Sequence, residues 1–382
     1  MKKYIILFLF LFLSFTVFVK AEEVDYAPNA ASAILIESST GKILYEKNAN
    51  EKMAPASMTK IMTMLLIMEA LEDEKITLND EVFISNHAAG MGGSQIFLPA
   101  NGYVKVEDLL KGIGIASGND AATAMAEYLG GTEENFVNMM NKKAQDLGLQ
   151  NTNFKNPHGL DEANHYTTAH DLSFIAKELV KYEKVLEVTS TYEEYLTING
   201  ENRWLVNTNS LIRFYEGMDG LKTGFTKEAK YCLTSTMKKN NMRLIGVVMG
   251  EESQELRNKD TIAMMEYGYS MYNIDTIVSK NKNLGKIYID KSKNRTYDYY
   301  LKEDVHVVVD KNTKDITYDY DIELETVKTP LEKGDKIGTL KFNFNDETIN
   351  YDLVVNENIK KASYFRILFN YIKDIISGKI NI

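Results

Sequence analysis

The sequence predicts an α+β chain: a mixed helix-and-strand region, then a small all-β module, then an amphipathic helical tail. Three observations carry that reading. Apolar residues recur with helical spacing at 57–68 and 105–129, between strand pairs at 31–46 and 231–249. Near Asp275 the helical pattern gives way to short alternating runs separated by turn residues. From Asn356 helical spacing returns, now with a basic polar face.

Ahead of these parts, residues 1–21 read as a secretory signal. Lys2 and Lys3 supply the charged start, Ile5 to Val19 the apolar run, and Val19-Lys20-Ala21 the small residues for cleavage after Ala21. An uncleaved membrane anchor is the other reading; either one places the protein outside the cytoplasm. Residues 31–37 and 43–46 flank Ser38-Ser39-Thr40-Gly41-Lys42, the pattern of a β-hairpin. Pro55 stands just ahead of a helix whose Ile61, Met64, Leu65 and Met68 form a buried apolar face. Residues 106–111 read as a helix that Gly112 and Gly114 break, and 121–129 as its successor. Ser117-Gly118-Asn119 lies at the join, where such residues also serve as helix N-caps.

Residues 156–161 form a turn, and Thr168-Ala169-His170-Asp171 opens another helix, which makes His158 and His170 loop and capping residues. Residues 220–225 precede the strand pair 231–237 and 243–249, and Arg257 begins the helix that closes the region. Strands are expected at 305–309, 316–322 and 336–342. In the tail, Ile359, Ala362, Phe365, Leu368, Phe369, Ile372, Ile375 and Ile376 share one helical face. Asn370, Lys373 and Asp374 make it too polar to span a bilayer, so it is expected to lie in the membrane interface or to pack on the β module.

Composition excludes several classes. The formal charge is −10, and loss of Lys2, Lys3 and Lys20 with the leader makes the chain more acidic still, which argues against nucleic acid as a partner. The single cysteine, Cys232, rules out an internal disulfide framework and sits in an apolar stretch. The five histidines fall in no metal-binding spacing, so neither metal nor cofactor is expected. No Gly-x-Ser-x-Gly elbow is present.

The candidate chemistry centres on Ser57 and Lys60. Residues three apart share a helix face, so an amine comes within reach of a hydroxyl. A serine hydroxyl needs a base to become nucleophilic, and a lysine serves only when burial or another cation lowers its pKa. Ser-x-x-Lys also occurs at Ser39/Lys42, Ser235/Lys238 and Ser279/Lys282, and Ser-x-Asn at Ser279 and Ser292. Only Ser57 is followed in order by Ser117-Gly118-Asn119 and the chain's one Lys-Thr-Gly, Lys222-Thr223-Gly224. Gly224 leaves room for a ligand backbone at the strand edge.

With these three boxes the chain resembles the low-molecular-mass penicillin-binding proteins, serine-type D-alanyl-D-alanine carboxypeptidases. Asn156-Pro157-His158-Gly159-Leu160 and Tyr166-Thr167-Thr168-Ala169-His170-Asp171 are similar to segments of that family. The resemblance implies an α/β (α+β) penicillin-binding/β-lactamase-like serine acyl-transferase domain, with an antiparallel sheet, flanking helices and a helical subdomain. It implies boundaries of 1–21 for the signal, 22–274 for the catalytic domain, 275–355 for the β domain and 356–382 for the membrane-associating helix. It assigns Ser57 as nucleophile, Lys60 as base and Ser117 as proton relay. Asn119 would position Lys60 and the substrate amide. Lys222 and Thr223, supported by Arg257, would hold a terminal carboxylate, Gly224 would let the substrate backbone approach, and Lys222 would lower the pKa of Lys60. Backbone N–H groups of Ser57 and Phe225 would form an oxyanion hole; Phe225 stands where the family usually has histidine. The implied partners are a peptidoglycan stem peptide ending in D-Ala-D-Ala, β-lactams as inhibitors, and the membrane surface through the tail, at the outer face of the cytoplasmic membrane or in the wall. A β-lactamase of the same superfamily and a non-enzymatic wall-binding protein are the competing readings.

Overall fold

The computed structural model describes residues 24–313, 316–345 and 347–377. The leader expected at 1–21 and the end of the tail, 378–382, lie outside them. Strand β1 (Ser32–Glu37) turns into β2 (Ile43–Lys47), the hairpin the pattern predicts. Glu37 closes the turn by accepting from the backbone N–H groups of Ser39 and Thr40 and from both hydroxyls. The Ser39/Lys42 match is therefore structural: Lys42 Nζ donates instead to Val308 O at 2.9 Å.

A 3₁₀ turn (Ala56–Thr59) leads into α1 (Lys60–Glu72), so Ser57 stands on the tighter turn rather than on the α-helix itself. Helix α1 is buried on all sides from Lys60 to Met68, not on one face, as befits a segment apolar all round. Next come β3 (Glu81–Phe83), α2 (Asn86–Ala89), β4 (Tyr103–Lys105), α3 (Val106–Gly114), α4 (Asn119–Gly130) and α5 (Glu133–Asp146). Here one expectation is corrected: α3 runs through Gly112 and Gly114 instead of stopping at them. A β-carbon on Gly112 would lie 2.6 Å from Ile96 Cδ1, and one on Gly114 2.7 Å from Val188 Cγ1. Both glycines are close-packing positions in a buried helix, and packing outweighs the propensity cost of ~1 kcal/mol each.

Helix α6 (Ala169–Leu179) is capped by Thr168 Oγ1, which accepts from Asp171 N; α7 (Glu183–Thr189) follows. Then comes a hairpin the sequence reading did not anticipate, β5 (Glu193–Ile198) and β6 (Glu201–Val206). Its two turn residues, Asn199 and Gly200, both have positive φ, at 52° and 79°, the Asn-Gly signature of a type I′ turn. After α8 (Leu211–Phe214) the chain makes a three-strand meander, β7 (Met218–Thr226), β8 (Lys230–Lys239) and β9 (Met242–Glu251), then α9 (Gln254–Met271). Lys222-Thr223-Gly224 thus lies inside a strand rather than ahead of a strand pair.

The five antiparallel strands are ordered β2-β1-β9-β8-β7, so β7 is an edge. Alternate residues of β1 serve two cores: Ile34 and Ile36 pack with α6 residues, Ala33 and Leu35 with Met264 and Met265 of α9. Helices therefore cover both faces, and α1, α3 and α4 stack beyond α6.

From Tyr272 the chain is all β. Strands β10 (Tyr272–Val278), β11 (Gly285–Tyr288), β12 (Thr296–Leu301), β13 (Val305–Asp310), β14 (Tyr318–Leu324), β15 (Lys336–Phe344) and β16 (Glu347–Val355) pair as β10-β13 and as a sheet ordered β11-β12-β16-β15-β14. Helix α10 (Tyr364–Ile376) ends the described chain. The apolar tail stripe is shorter than its spacing suggests. Ile359 pairs with Leu331 and is buried in the β core, and Ala362 N donates to Lys291 O. Arg295 and Asp374 form an ion pair that ties α10 to the β module.

Candidate active site

Three separate stretches converge where α1 begins. Pro55, at φ −78°, sets up the 3₁₀ turn, and Ala56 holds a left-handed φ of 47° just before Ser57. The loop at 156–160 packs under this turn: a β-carbon on Gly159 would lie 1.8 Å from Ala56 O, so only glycine fits there. Strand β7 approaches from the other side, with the Gly224 β-carbon position 3.0 Å from Pro55 O and 3.1 Å from Ala56 Cβ. The turn that carries Ser57 is thereby clamped between a loop and a sheet edge.

Lys60 is fully buried, and its Nζ has three oxygen neighbours. Ser57 Oγ lies at 3.0 Å, Asn119 Oδ1 at 2.6 Å and His158 O at 2.7 Å. Asn119 Nδ2 donates to Gly92 O at 2.7 Å, which fixes the amide with its oxygen toward the lysine. Burial pushes the Lys60 pKa well below its ordinary value, and the neighbouring Lys222 pushes it further; Asp120 opposes the shift. Lys222 is itself buried on β7, and burial together with Arg257 lowers its pKa to about 7. Its Nζ donates to Thr223 O at 3.1 Å. Arg257, in the first turn of α9, is buried and lowered to about 10 by that burial. Its guanidinium donates to Asn258 Oδ1. Lys60, Lys222 and Arg257 thus form a row of buried basic groups on three elements, with Lys222 and Arg257 placed to meet an anionic ligand.

Ser117 sits two residues before Asn119 with φ 64°, buried at the α3–α4 bend. It is not an N-cap: α4 starts after Gly118 with no side-chain cap. Thr223 Oγ1 donates to Thr208 Oγ1 at 2.7 Å. Phe225 is exposed at the end of the edge strand, its ring against Tyr231 at 4.5 Å between centroids. The structure therefore gathers Ser57, Lys60, Asn119 and Lys222, with Thr223, Gly224 and Phe225 on the adjoining edge and Arg257 behind Lys222.

The sequence reading missed several groups. The ring of His158 is a loop group, its pKa lowered to about 3 chiefly by burial, but its backbone carbonyl reaches Lys60. Asp120 is fully buried and accepts from Ile96 N, Leu98 N and Ala121 N at 2.9–3.2 Å. It holds the loop that supplies Gly92 O to Asn119, while Ser94 O accepts from Asn119 N at 2.7 Å. A carboxylate directly after Ser-x-Asn, opening an alanine-rich helix, was the available signal. His170 lies tilted against Phe174, ring centroids 4.8 Å apart, and takes no part.

Comparisons with known proteins agree with this architecture. A family model described as D-alanyl-D-alanine carboxypeptidase matches residues 18–253, and one described as penicillin-binding protein 5, C-terminal domain, matches 272–361. The chain is 47% identical over 347 residues to D-alanyl-D-alanine carboxypeptidase DacF of Bacillus subtilis (strain 168), covering 90% of this chain and 89% of that one. It is 33% identical over 378 residues to DacC of Escherichia coli (strain K12), covering 95% and 93%. The crystal structure of penicillin binding protein 5 from Haemophilus influenzae superposes with a TM-score of 0.69 at 30% identity, covering 87% of this chain and 98% of that chain. Fold and matches define a class, the penicillin-binding serine peptidases, hydrolases of the cell wall. Within it, the chain belongs to the D-alanyl-D-alanine carboxypeptidase family.

Proposed function

We propose that Ser57 is the nucleophile with which this carboxypeptidase removes the terminal D-alanine from peptidoglycan stem peptides, and the residue that β-lactams acylate. The observation that supports this most is the set of atoms around Lys60 Nζ. A neutral amine has two N–H bonds and one lone pair. Asn119 Oδ1 and His158 O can only accept, so they take the two N–H bonds. The lone pair is then left for the Ser57 hydroxyl at 3.0 Å, within range for general-base proton transfer. Burial beside Lys222 favours that neutral state.

Attack of Ser57 Oγ on the carbonyl between the two D-alanines forms the acyl-enzyme as Lys60 takes the proton. Backbone N–H groups of Ser57 and Phe225 receive the developing oxyanion, donors each worth ~3–4 kcal/mol. Ser117 passes a proton to the departing D-alanine amine, and water then hydrolyses the ester. Lys222, Thr223 and Arg257 hold the terminal carboxylate, while the free edge of β7, with Gly224, accepts the peptide as an added strand. Labelled penicillin tests the assignment. Mass spectrometry should place the adduct on Ser57, and Ser57→Ala should abolish it; an adduct on Ser39, Ser235 or Ser279 would refute the reading.

Residues 1–21 export the chain, and α10 holds it at the membrane surface. Phe365, Leu368, Phe369, Ile372 and Ile376 are exposed on α10 beside Arg366 and Lys373. The exported chain should sediment with anionic vesicles, less so at high salt. A chain ending at Ala362 should stay in the supernatant; vesicle binding that survives the truncation would remove this role from α10.

A further inference from the structure

The β5–β6 hairpin carries an aromatic pair that acyl transfer does not use. Tyr195 and Trp204 are direct cross-strand partners. Their rings lie 16° from parallel with centroids 6.3 Å apart. They are 67% and 59% exposed, while Leu196, Ile198 and Leu205 of the same hairpin are buried in the main core. Strand alternation therefore fixes both rings outward.

Polar groups frame the pair. Trp204 Nε1 donates to Glu193 Oε2 at 3.2 Å, and Thr197 Oγ1 donates to Asn202 Oδ1 at 2.9 Å. The surface continues past the hairpin, where Arg213 lies over the rings of Tyr192 and Phe214 at 5.0 and 5.6 Å. It also lies close along the chain to the Lys-Thr-Gly strand. Four residues beyond Trp204, Thr208 Oγ1 accepts from Thr223 Oγ1 of the Lys-Thr-Gly strand. Four residues reach at most about 14 Å, so the platform stands within that distance of Thr208.

We propose that Tyr195 and Trp204 form a stacking platform for the sugar rings of a glycan strand, holding the polymer beside the edge where its peptides are cut. The inference rests on the peptidoglycan substrate proposed above: such a peptide arrives attached to polysaccharide, so neutral ring-shaped polyols are present wherever the substrate is. A pyranose offers a face of C–H bonds with partial positive charge, which matches the negative face of an aromatic ring. Its rim of hydroxyl and amide groups matches the side chains around the pair. Two exposed, nearly parallel rings fixed on a rigid hairpin offer apolar surface to a rigid ring-shaped ligand. An anionic lipid surface fits poorly, because the carboxylate of Glu193 stands directly beside the pair, bonded to Trp204 Nε1.

Trp204 is the chain's single tryptophan, so its emission reports on the platform alone. The probe is soluble glycan oligomer stripped of its peptides, titrated into the Ser57→Ala chain, which binds without turnover. A saturable change in tryptophan emission is expected, with affinity weakened about tenfold by Tyr195→Ala, the order of effect of removing one stacking ring. In a second arm, Trp204→Ala should lower D-alanine release from glycan-linked peptide relative to free pentapeptide by about tenfold. Absence of any emission change with glycan, or an equal change with anionic vesicles, overturns the platform. So does an equal loss on both substrates, which would make Trp204 a support of the catalytic centre. Failure of the catalytic reading looks different: the unaltered chain would not cleave free pentapeptide, and the glycan titration would be unaffected.

Discussion

Lys60 and Lys222 are 0% and 1% exposed, and they meet hydroxyl, amide and carbonyl oxygens. Lys336 and Lys341, on β15, stand in water and pair with the carboxylates of Asp352 and Glu323. Burial drives the first two pKa values down, whereas the Asp352 contact raises that of Lys336. A lysine in the sheet of the β module is a solvated charge, whereas one between α1 and β7 is a potential base or a carboxylate anchor. The difference lies in desolvation and in which partner is at hand, not in residue type.

Four experiments would break or sharpen that contrast. The largest effect belongs to Lys60→Ala, which should slow penicillin acylation by about 10²–10⁴-fold, the span of a lost general base. A normal rate would move the base elsewhere. Next is Lys222→Ala, expected to lower kcat/KM for a peptide acid by about 10–100-fold, as for a lost hydrogen bond to a charged group. A C-terminally amidated peptide should show little further loss. The sign of its pH dependence follows from a pKa of about 7: Lys222 is charged below it and neutral above it. In kcat/KM, which reports the free enzyme, carboxylate reading should fade as pH rises through 7, while the Lys60 limb rises with pH from well below 10. An acid limb near the ordinary lysine value would sink the neutral-amine picture.

Third, Asp120→Asn should cost about 10–100-fold in acylation, because it loosens the loop that orients Asn119. The Asp120 charge also opposes the lowering of the Lys60 pKa, so its loss should shift the acid limb to lower pH. An unmoved limb with an unchanged rate would reduce Asp120 to a spectator. The smallest effect is expected at Lys336→Ala, which should leave melting temperature and activity where they were, since exposed ion pairs contribute little. A clear loss of stability there would show that the β module's surface charges are less independent than their exposure implies.

Much of this contrast was legible in the sequence, for reasons of range. Ser57 and Lys60 are three residues apart, so turn geometry alone brings them together. The hairpin at β1–β2, the core helix α1 and strands β13 and β15 follow from local periodicity. What escaped depends on contacts over longer separations. Gly112 and Gly114 read as breakers because Ile96 and Val188, which they pack against, are remote in sequence. The His158 carbonyl and the N–H groups that Asp120 holds are backbone atoms, which leave no residue-type signature; only the Asp120 carboxylate itself is visible in the sequence. The β5–β6 hairpin is the exception, since its signal, Asn199-Gly200, is local. The tail stripe was overextended because Ile359 and Ala362 keep helical spacing while belonging to the β module.

The contact between Gly159 and the carbonyl of Ala56 has a consequence for drug escape. Every other amino acid would place a carbon 1.8 Å from that oxygen, at a backbone φ of 89° that already favours glycine. The atoms it would displace belong to the turn that carries Ser57, the nucleophile proposed for peptide and antibiotic alike. Selection by a β-lactam can therefore find no variant at position 159 that spares the cell wall reaction while refusing the inhibitor. The exposed ring of Phe225, at the open end of the edge strand, meets no such backbone constraint.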